Sequence, residues 1–238
     1  MQYISTGISG LDEMLQGGFL KNRIMLVRGG PGAGKTIFSL QFILEGAKKG
    51  ERGIYFTLEE PLDLIKTNIK SFKWPMDRLE KDGLIKLVDV SGLIYKAINA
   101  KSYESSTSLV SEVINQMRQA SRDFGTQRLA IDPITSIIIH HRYPTDKRLE
   151  IVELIKNLRD VGCTSLITSE STNLAEGDFF VEDYLADGVI ILSKTLNNFK
   201  LTKTLRIEKM RGTRFEEQPR KYDISEAGFK VYSTEQIT

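Results

Sequence analysis

The chain has almost no cysteine. Cys163 stands alone among 238 residues, so no intrachain disulfide can form. Its neighbours in "CTSLIT" are apolar, and a small buried hydrophobe is expected there. Long hydrophobic runs are also missing. "IMLV" and "SIII" fall far short of the ~20 apolar residues that span a bilayer. The start, "MQYISTGISG", lacks the basic and apolar segments of a signal peptide. Net charge is close to nil: 33 Lys+Arg against 31 Asp+Glu leave +2, which gives no general pull toward nucleic acid or anionic lipid. No low-complexity linker, internal repeat or charged tail interrupts residues 1–238, so one domain is expected. A soluble, cytoplasmic protein without membrane partners is the expectation.

Short apolar runs alternate with longer helical patterns. "RIMLVRG" (23–29), "GIYFTL" (53–58), "LIKLVDV" (84–90), "RLAID" (128–132) and "TSLITS" (164–169) read as strands, several of them apolar on both faces. Residues 35–49, 62–72, 108–124 and 146–162 carry apolar positions near helical spacing. This alternation predicts an α/β fold, a mostly parallel sheet flanked by helices. Beyond residue 184 the pattern changes. Runs 185–195 and 202–212 read as an antiparallel pair extending the sheet. Run 220–232 reads as a further strand with a turn at Glu226-Ala227-Gly228.

"GGPGAGKT", Gly29 to Thr36, fits G-x-x-x-x-G-K-[ST] in full, between an apolar strand and an amphipathic helix. Backbone N–H groups there can curl around phosphate oxygens, and the helix N-terminus adds partial positive charge. The candidate cradle is Gly30, Pro31, Gly32, Ala33, Gly34, Lys35, Thr36 and Ile37. Lys35 would reach the β- and γ-phosphates, and the Thr36 hydroxyl would bind Mg²⁺. Asp132, closing an apolar run, is the candidate acid for the same Mg²⁺–ATP. Glu59 and Glu60 follow another strand. If that strand stays regular, only one of them faces the γ-phosphate, since successive residues point to opposite faces. The plainer reading of this pair is two acids opening a helix after Pro61.

From Gly188 to Phe215 the only acid is Glu208, against seven bases. Strand alternation over "TKTLRIEKMR" puts Lys203, Leu205, Ile207, Lys209 and Arg211 on one face. Leu205 and Ile207 are expected to face the core, with Lys209 and Arg211 continuing that face as the strand leaves it. Composition alone reads such cations as a solvated edge strand.

"STGISGLDEMLQGGF" (5–19), "GGPGAGKT", "YFTLEE" (55–60), "SFKW" (71–74), "AIDPITS" (130–136), "LADGVIIL" (185–192) and "KMRGTRF" (209–215) occur in the order seen in KaiC-like ATPases, which the chain resembles over nearly its whole length. That resemblance implies a RecA-like P-loop NTPase core with a C-terminal antiparallel extension. It implies rings, usually hexamers, with ATP at subunit interfaces. It implies that Lys35 and Thr36 hold the nucleotide, that Asp132 serves Mg²⁺, and that Glu59 is the catalytic member of its pair. It also implies that Lys209 and Arg211 reach the γ-phosphate of the neighbouring subunit, and that Ser71 and Glu226 touch the nucleoside. Glu170, where recombinases carry an amide, matches the KaiC-like branch; Trp74 is expected to pack. Asp183-Tyr184 stand where the clock member has its phosphorylated Ser-Thr pair, so the resemblance does not carry autokinase activity to this chain.

Two alternatives remain at this level. One is a RecA/RadA-like DNA-binding recombination or repair ATPase. Loop 140–148, "HHRYPTDKR", is basic enough to touch DNA, but loop 171–183 carries Glu176, Asp178, Glu182 and Asp183 and no base, which would repel a phosphate backbone. His140 and His141 have no third ligand in view for a metal, and no extra N-terminal DNA-binding module is expected, because the core begins almost at Met1. The other is a nucleotide-gated scaffold with very slow turnover. No residue identifies a protein client.

Overall fold

Residues apolar on both faces can only sit in the middle of a covered sheet, and this decides the architecture. The computed structural model describes all residues except 1, 101–102, 139–143, 172–179, 198 and 235–238. Its strands are β1 (Tyr3–Ile4), β2 (Phe19–Leu20), β3 (Ile24–Gly29), β4 (Gly53–Thr57), β5 (Ile85–Asp89), β6 (Arg128–Asp132), β7 (Thr164–Glu170), β8 (Gly188–Asn197), β9 (Lys200–Met210), β10 (Arg220–Ser225) and β11 (Gly228–Val231). The helices are α1 (Leu11–Met14), α2 (Lys35–Lys48), α3 (Leu62–Asn68), α4 (Met76–Lys81), α5 (Ser91–Ile98), α6 (Tyr103–Phe124), α7 (Thr135–Ile138), α8 (Pro144–Val161) and α9 (Val181–Leu185), with a 3₁₀ turn at Ile69–Phe72.

Among the described residues one large sheet has the order β11-β10-β9-β8-β3-β7-β6-β4-β5. From β8 to β5 neighbouring strands run parallel. β9, β10 and β11 add antiparallel strands at the other edge. The expected α/β sheet with an antiparallel extension is therefore present, and 220–232 is a hairpin of two strands rather than one. One core packs α2 against the sheet with Phe38, Phe42, Tyr55 and Phe229. The other packs α6 and α8 against the opposite face with Phe56, Val113, Met117 and Leu154. Cys163 is buried, and burial pushes its thiol up to about 11, so it is inert. Trp74 packs on Phe72 with ring centroids 4.9 Å apart.

The face expected for Lys209 and Arg211 is not the one observed. Val189 pairs with Lys209 but Ile190 pairs with Ile207, so Glu208 is an extra residue in a β-bulge. A single added residue reverses the alternation beyond it. Met210, not Lys209, thus rejoins Leu205 and Ile207 in the α2-side core. Lys209 lies opposite Val189, which belongs to the α8-side core. Arg211 lies just past the strand, its N–H donating to the Asp187 carbonyl at 2.9 Å.

Candidate functional site

In a parallel sheet the strand ends carry the site, because the chain leaves each strand there as a loop. Four parallel strands bring theirs together: Gly29 is in register with Glu170, and Thr57 with Asp132. Between them lies a cleft of about 370 Å³ whose walls include the phosphate loop, Thr36, Glu59, Glu60, Asp132 and Glu170.

The phosphate loop is built for backbone exposure. Gly34, at φ 95°, opens α2. The positive φ favours glycine there, and a Cβ at Gly34 would stand 2.3 Å from Ile224 Cδ1 of the β10–β11 hairpin, which would have to shift. The Tyr222 hydroxyl donates to the Ala33 carbonyl at 2.8 Å and holds the loop from behind. The Tyr222 ring stacks on Phe229, which meets Phe38 of α2 edge-on. Lys35 Nζ folds back onto the carbonyls of Gly29 (2.9 Å) and Gly30 (3.4 Å).

Asp132 is buried at the end of β6 and accepts three side-chain hydrogen bonds. The Thr36 hydroxyl donates to Oδ2 at 2.6 Å, the Tyr55 hydroxyl to the same oxygen at 2.8 Å, and the Thr168 hydroxyl to Oδ1. Burial first, then the Asp132 charge, pushes the Tyr55 phenol well above its ordinary value, so it stays a donor. Tyr55 and Thr168 were not singled out in the sequence. Strand alternation offered a signal, since Tyr55 and Thr57 share the β4 face that α2 covers. Among the described residues no cluster of three or more His, Cys, Asp or Glu forms a protein-only metal cage. One acid and one hydroxyl 2.6 Å apart are nevertheless the donor set Mg²⁺ uses with nucleotide phosphates, so these residues fit that ion.

Glu59 and Glu60 both line the cleft, because β4 ends at Thr57 and the alternation stops before it reaches them. The Thr57 hydroxyl donates to the Glu60 carbonyl at 2.6 Å and folds this segment back. Burial raises the Glu59 carboxyl above its usual value, and the charges of Glu170, Asp132 and Glu60 add to the effect. These surroundings favour Glu59 taking up a proton.

Neither Ser71 nor Glu226 is among the residues that line the cleft. Asn68 and Ile69 line the cleft, and Lys73, two residues past Ser71, pairs with Glu226 at 2.7 Å. Ser71 itself points back to the Asn68 carbonyl. Lys209 and Arg211 are not brought to this cleft. Through Val189 the Lys209 position is level with Leu26, three residues before Gly29. The Arg211 N–H meets Asp187, whose own N–H meets Ile24. At about 3.3 Å per residue these levels lie roughly 10 and 17 Å back from Gly29. Lys209 Nζ donates to the carbonyls of Asp183 and Ala186, each at 2.7 Å, and Arg211 Nη2 to that of Tyr184 at 3.0 Å. Burial, and then Arg211 beside it, lowers the Lys209 ammonium from its ordinary value. Lys35 is the one cationic side chain lining the cleft among the described residues. Residues 140–143 of the first DNA-type loop and 172–179 of the second lie outside the described residues. No described helix is long and apolar enough to cross a membrane.

A family model described as "ATPase: KaiC" matches residues 4–236. A UPF0273 protein of Thermotoga maritima is 36% identical over 236 residues, covering 98% of this chain and 96% of that protein. A circadian clock protein, KaiC3, of Synechocystis is 30% identical over 217 residues, and the match covers 42% of its length. The crystal structure of a KaiC-like protein from the archaeon Pyrococcus horikoshii superposes with a TM-score of 0.82 at 30% identity, covering 97% of this chain and 99% of that one.

Proposed function

The chain belongs to the KaiC-like ATPase family of the RecA superfamily, and from that premise we propose that it hydrolyses Mg-ATP as a single-domain subunit of a homo-oligomeric ring, a hexamer, for a regulatory or assembly purpose. In this reading the cradle from Gly30 to Ile37 binds the phosphates and Lys35 leaves its own carbonyls for the γ-phosphate. Thr36 and Asp132 would hold Mg²⁺, which supplies charge neutralisation across the phosphates when bound. Glu59 accepts the proton of the attacking water, and Glu60 supports it. Ser71 and Glu226 flank the nucleoside.

One observation carries the reading. Cleft and finger candidates sit apart: Glu59, Glu60, Asp132 and Glu170 line the phosphate end with Lys35, and Lys194 Nζ comes close to Gly32, while Lys209 and Arg211 are anchored far back along the sheet. Charge developing on a transferring phosphoryl group is stabilised by cations aimed at it, in addition to the metal and the loop lysine. A neighbour's Lys209 and Arg211 supply them, and a ring that buries each site between subunits follows.

Complementation tests this. Lys35→Ala subunits keep the finger and lose the loop; Arg211→Ala subunits keep the loop and lose the finger. Each alone should release little phosphate, and mixed rings should exceed both once native mass has shown subunit exchange. An arginine finger contributes roughly 10³–10⁵ in rate where turnover is fast, so even a slow enzyme leaves a measurable loss. Normal hydrolysis by Arg211→Ala refutes the trans role. Native mass with and without Mg-ATP gives the ring size.

A further inference from the structure

A helix of five residues has no stability of its own in water. Helix α9 therefore lies where its anchors hold it, and these are specific. Arg28 Nη1 stands 2.9 and 2.8 Å from the two carboxylate oxygens of Asp183. Arg28 is buried in the central strand, and its guanidinium lies under the Phe180 ring at 3.7 Å. The Ser169 hydroxyl donates to Glu182 Oε1 at 3.0 Å, and both residues are buried. Arg28 and Ser169 are register partners in β3 and β7. The next residue after each is Gly29, at the root of the phosphate loop, and Glu170, in the cleft wall. The far side of α9 presents the carbonyls of Asp183, Tyr184 and Ala186 that hold Lys209 and Arg211.

We propose that Arg28, Ser169, Glu182 and Asp183 are positioning residues, which fix α9 to the two strand ends of the subunit's own cleft so that its carbonyls present Lys209 and Arg211 to the adjacent subunit's ATP. This rests on the trans reading above. A buried ion pair is a poor source of net stability, because desolvation offsets its attraction, but it is strict about geometry. Here it joins the root of the phosphate loop to α9, whose carbonyls hold Lys209 and Arg211. The finger's aim thus depends on strands that its own nucleotide contacts, and each subunit mechanically links its own site to the next. The β-bulge at Glu208 completes the device by turning Lys209 onto the α9 side of the sheet.

Asp183→Asn tests the link, since it keeps the shape and removes the charge. A misplacement of about 1 Å can cost ~10²-fold, so turnover should fall at least ~10-fold, with KM for ATP within about twofold of wild type. Asp183→Glu, which keeps the charge, should recover part of the loss. Mixing separates positioning from mere structural damage. Asp183→Asn subunits have sound loops and misaimed fingers, so Lys35→Ala subunits should rescue them as they rescue Arg211→Ala. Wild-type turnover by Asp183→Asn overturns the proposal. So does a loss that Lys35→Ala cannot rescue while it does rescue Arg211→Ala. That second result leaves the trans finger standing and fails only the anchor. Normal turnover by Arg211→Ala removes the trans reading and this proposal with it. Should Asp183→Asn not assemble by native mass, Ser169→Ala, which unpins Glu182, is read by the same criteria.

Discussion

Tyr55→Phe removes one oxygen and little else. The ring is fully buried between β4 and its neighbours, and phenylalanine keeps its shape. What is lost is the 2.8 Å donor on Asp132 Oδ2. That oxygen has one other side-chain donor, Thr36, which in the proposed metal-bound site turns its oxygen to Mg²⁺. Tyr55 would then be the side-chain donor left on Oδ2, with Thr168 steadying Oδ1. A hydrogen bond to a charged acceptor contributes about 1.5–3 kcal/mol. At about 1.4 kcal/mol per tenfold, this amounts to a ~10- to 150-fold weaker Mg²⁺ requirement site, in line with the ~10- to 100-fold typical of groups that orient metal ligands. The assay is ATP turnover titrated with Mg²⁺, beside ATP binding measured in EDTA. The Mg²⁺ midpoint should rise while metal-free ATP affinity stays put, because the phosphate loop is untouched. An unchanged Mg²⁺ midpoint, or an equal loss in EDTA, refutes the assignment of Asp132 as the metal's acid oriented by Tyr55.

Glu59→Gln should bind ATP yet lose ~10²–10⁴ in turnover, the usual contribution of a general base, and Glu60→Gln should lose less; phosphate release from both variants checks this, and a larger loss in Glu60→Gln reverses the pair. Because burial and then neighbouring acids raise the folded Glu59 pKa, a Glu59 base would be protonated and activity lost as pH falls through a point above the ordinary glutamate value, and kcat/KM against pH should show that acid limb in wild type and not in the residual rate of Glu59→Gln. Gly34→Ala should weaken ATP binding by calorimetry, since φ 95° strains a residue with a Cβ by about 1–3 kcal/mol and Ile224 Cδ1, 2.3 Å from that Cβ, must move aside; adding Ile224→Ala relieves the contact but not the strain, so rescue should be partial.

The sheet was legible because its evidence is local. Strands β3, β4, β5, β6 and β7 each began and ended within about two residues of an apolar run, and α2 followed from "GKT" and its periodicity. The phosphate loop was legible because its geometry demands glycine at fixed places, and one of them, Gly34, meets both a positive φ and a neighbouring side chain. Less visible was whatever depends on partners distant in sequence. Tyr55 and Thr168 reach Asp132 across 77 and 36 residues, and neither type announces a role by itself. Tyr222 supports Ala33 from 189 residues away. For Glu59 and Glu60 the alternation held only if the strand stayed regular, and β4 stops two residues short of Glu59, so both line the cleft.

The β9 bulge is the most instructive case, because there correct reasoning gave the wrong face. Period two is a property of a regular ladder, and "TLRIEKMR" offers no glycine or proline to mark an interruption. The interruption is decided by packing on both sides. With Ile207 opposite Ile190 on the α2 side, an unbroken ladder would turn Lys209 into that same apolar core and lift Met210 out of it. Burying an unpaired ammonium among Met25, Leu205 and Phe19 costs far more than one irregular ladder bond. The bulge admits Met210 to the core and sends Lys209 to the other side, where the carbonyls at the end of α9 await it. Core chemistry and the placement of Lys209 are therefore one constraint, which is why cations that read as a solvated edge by composition are held by named backbone oxygens in the fold.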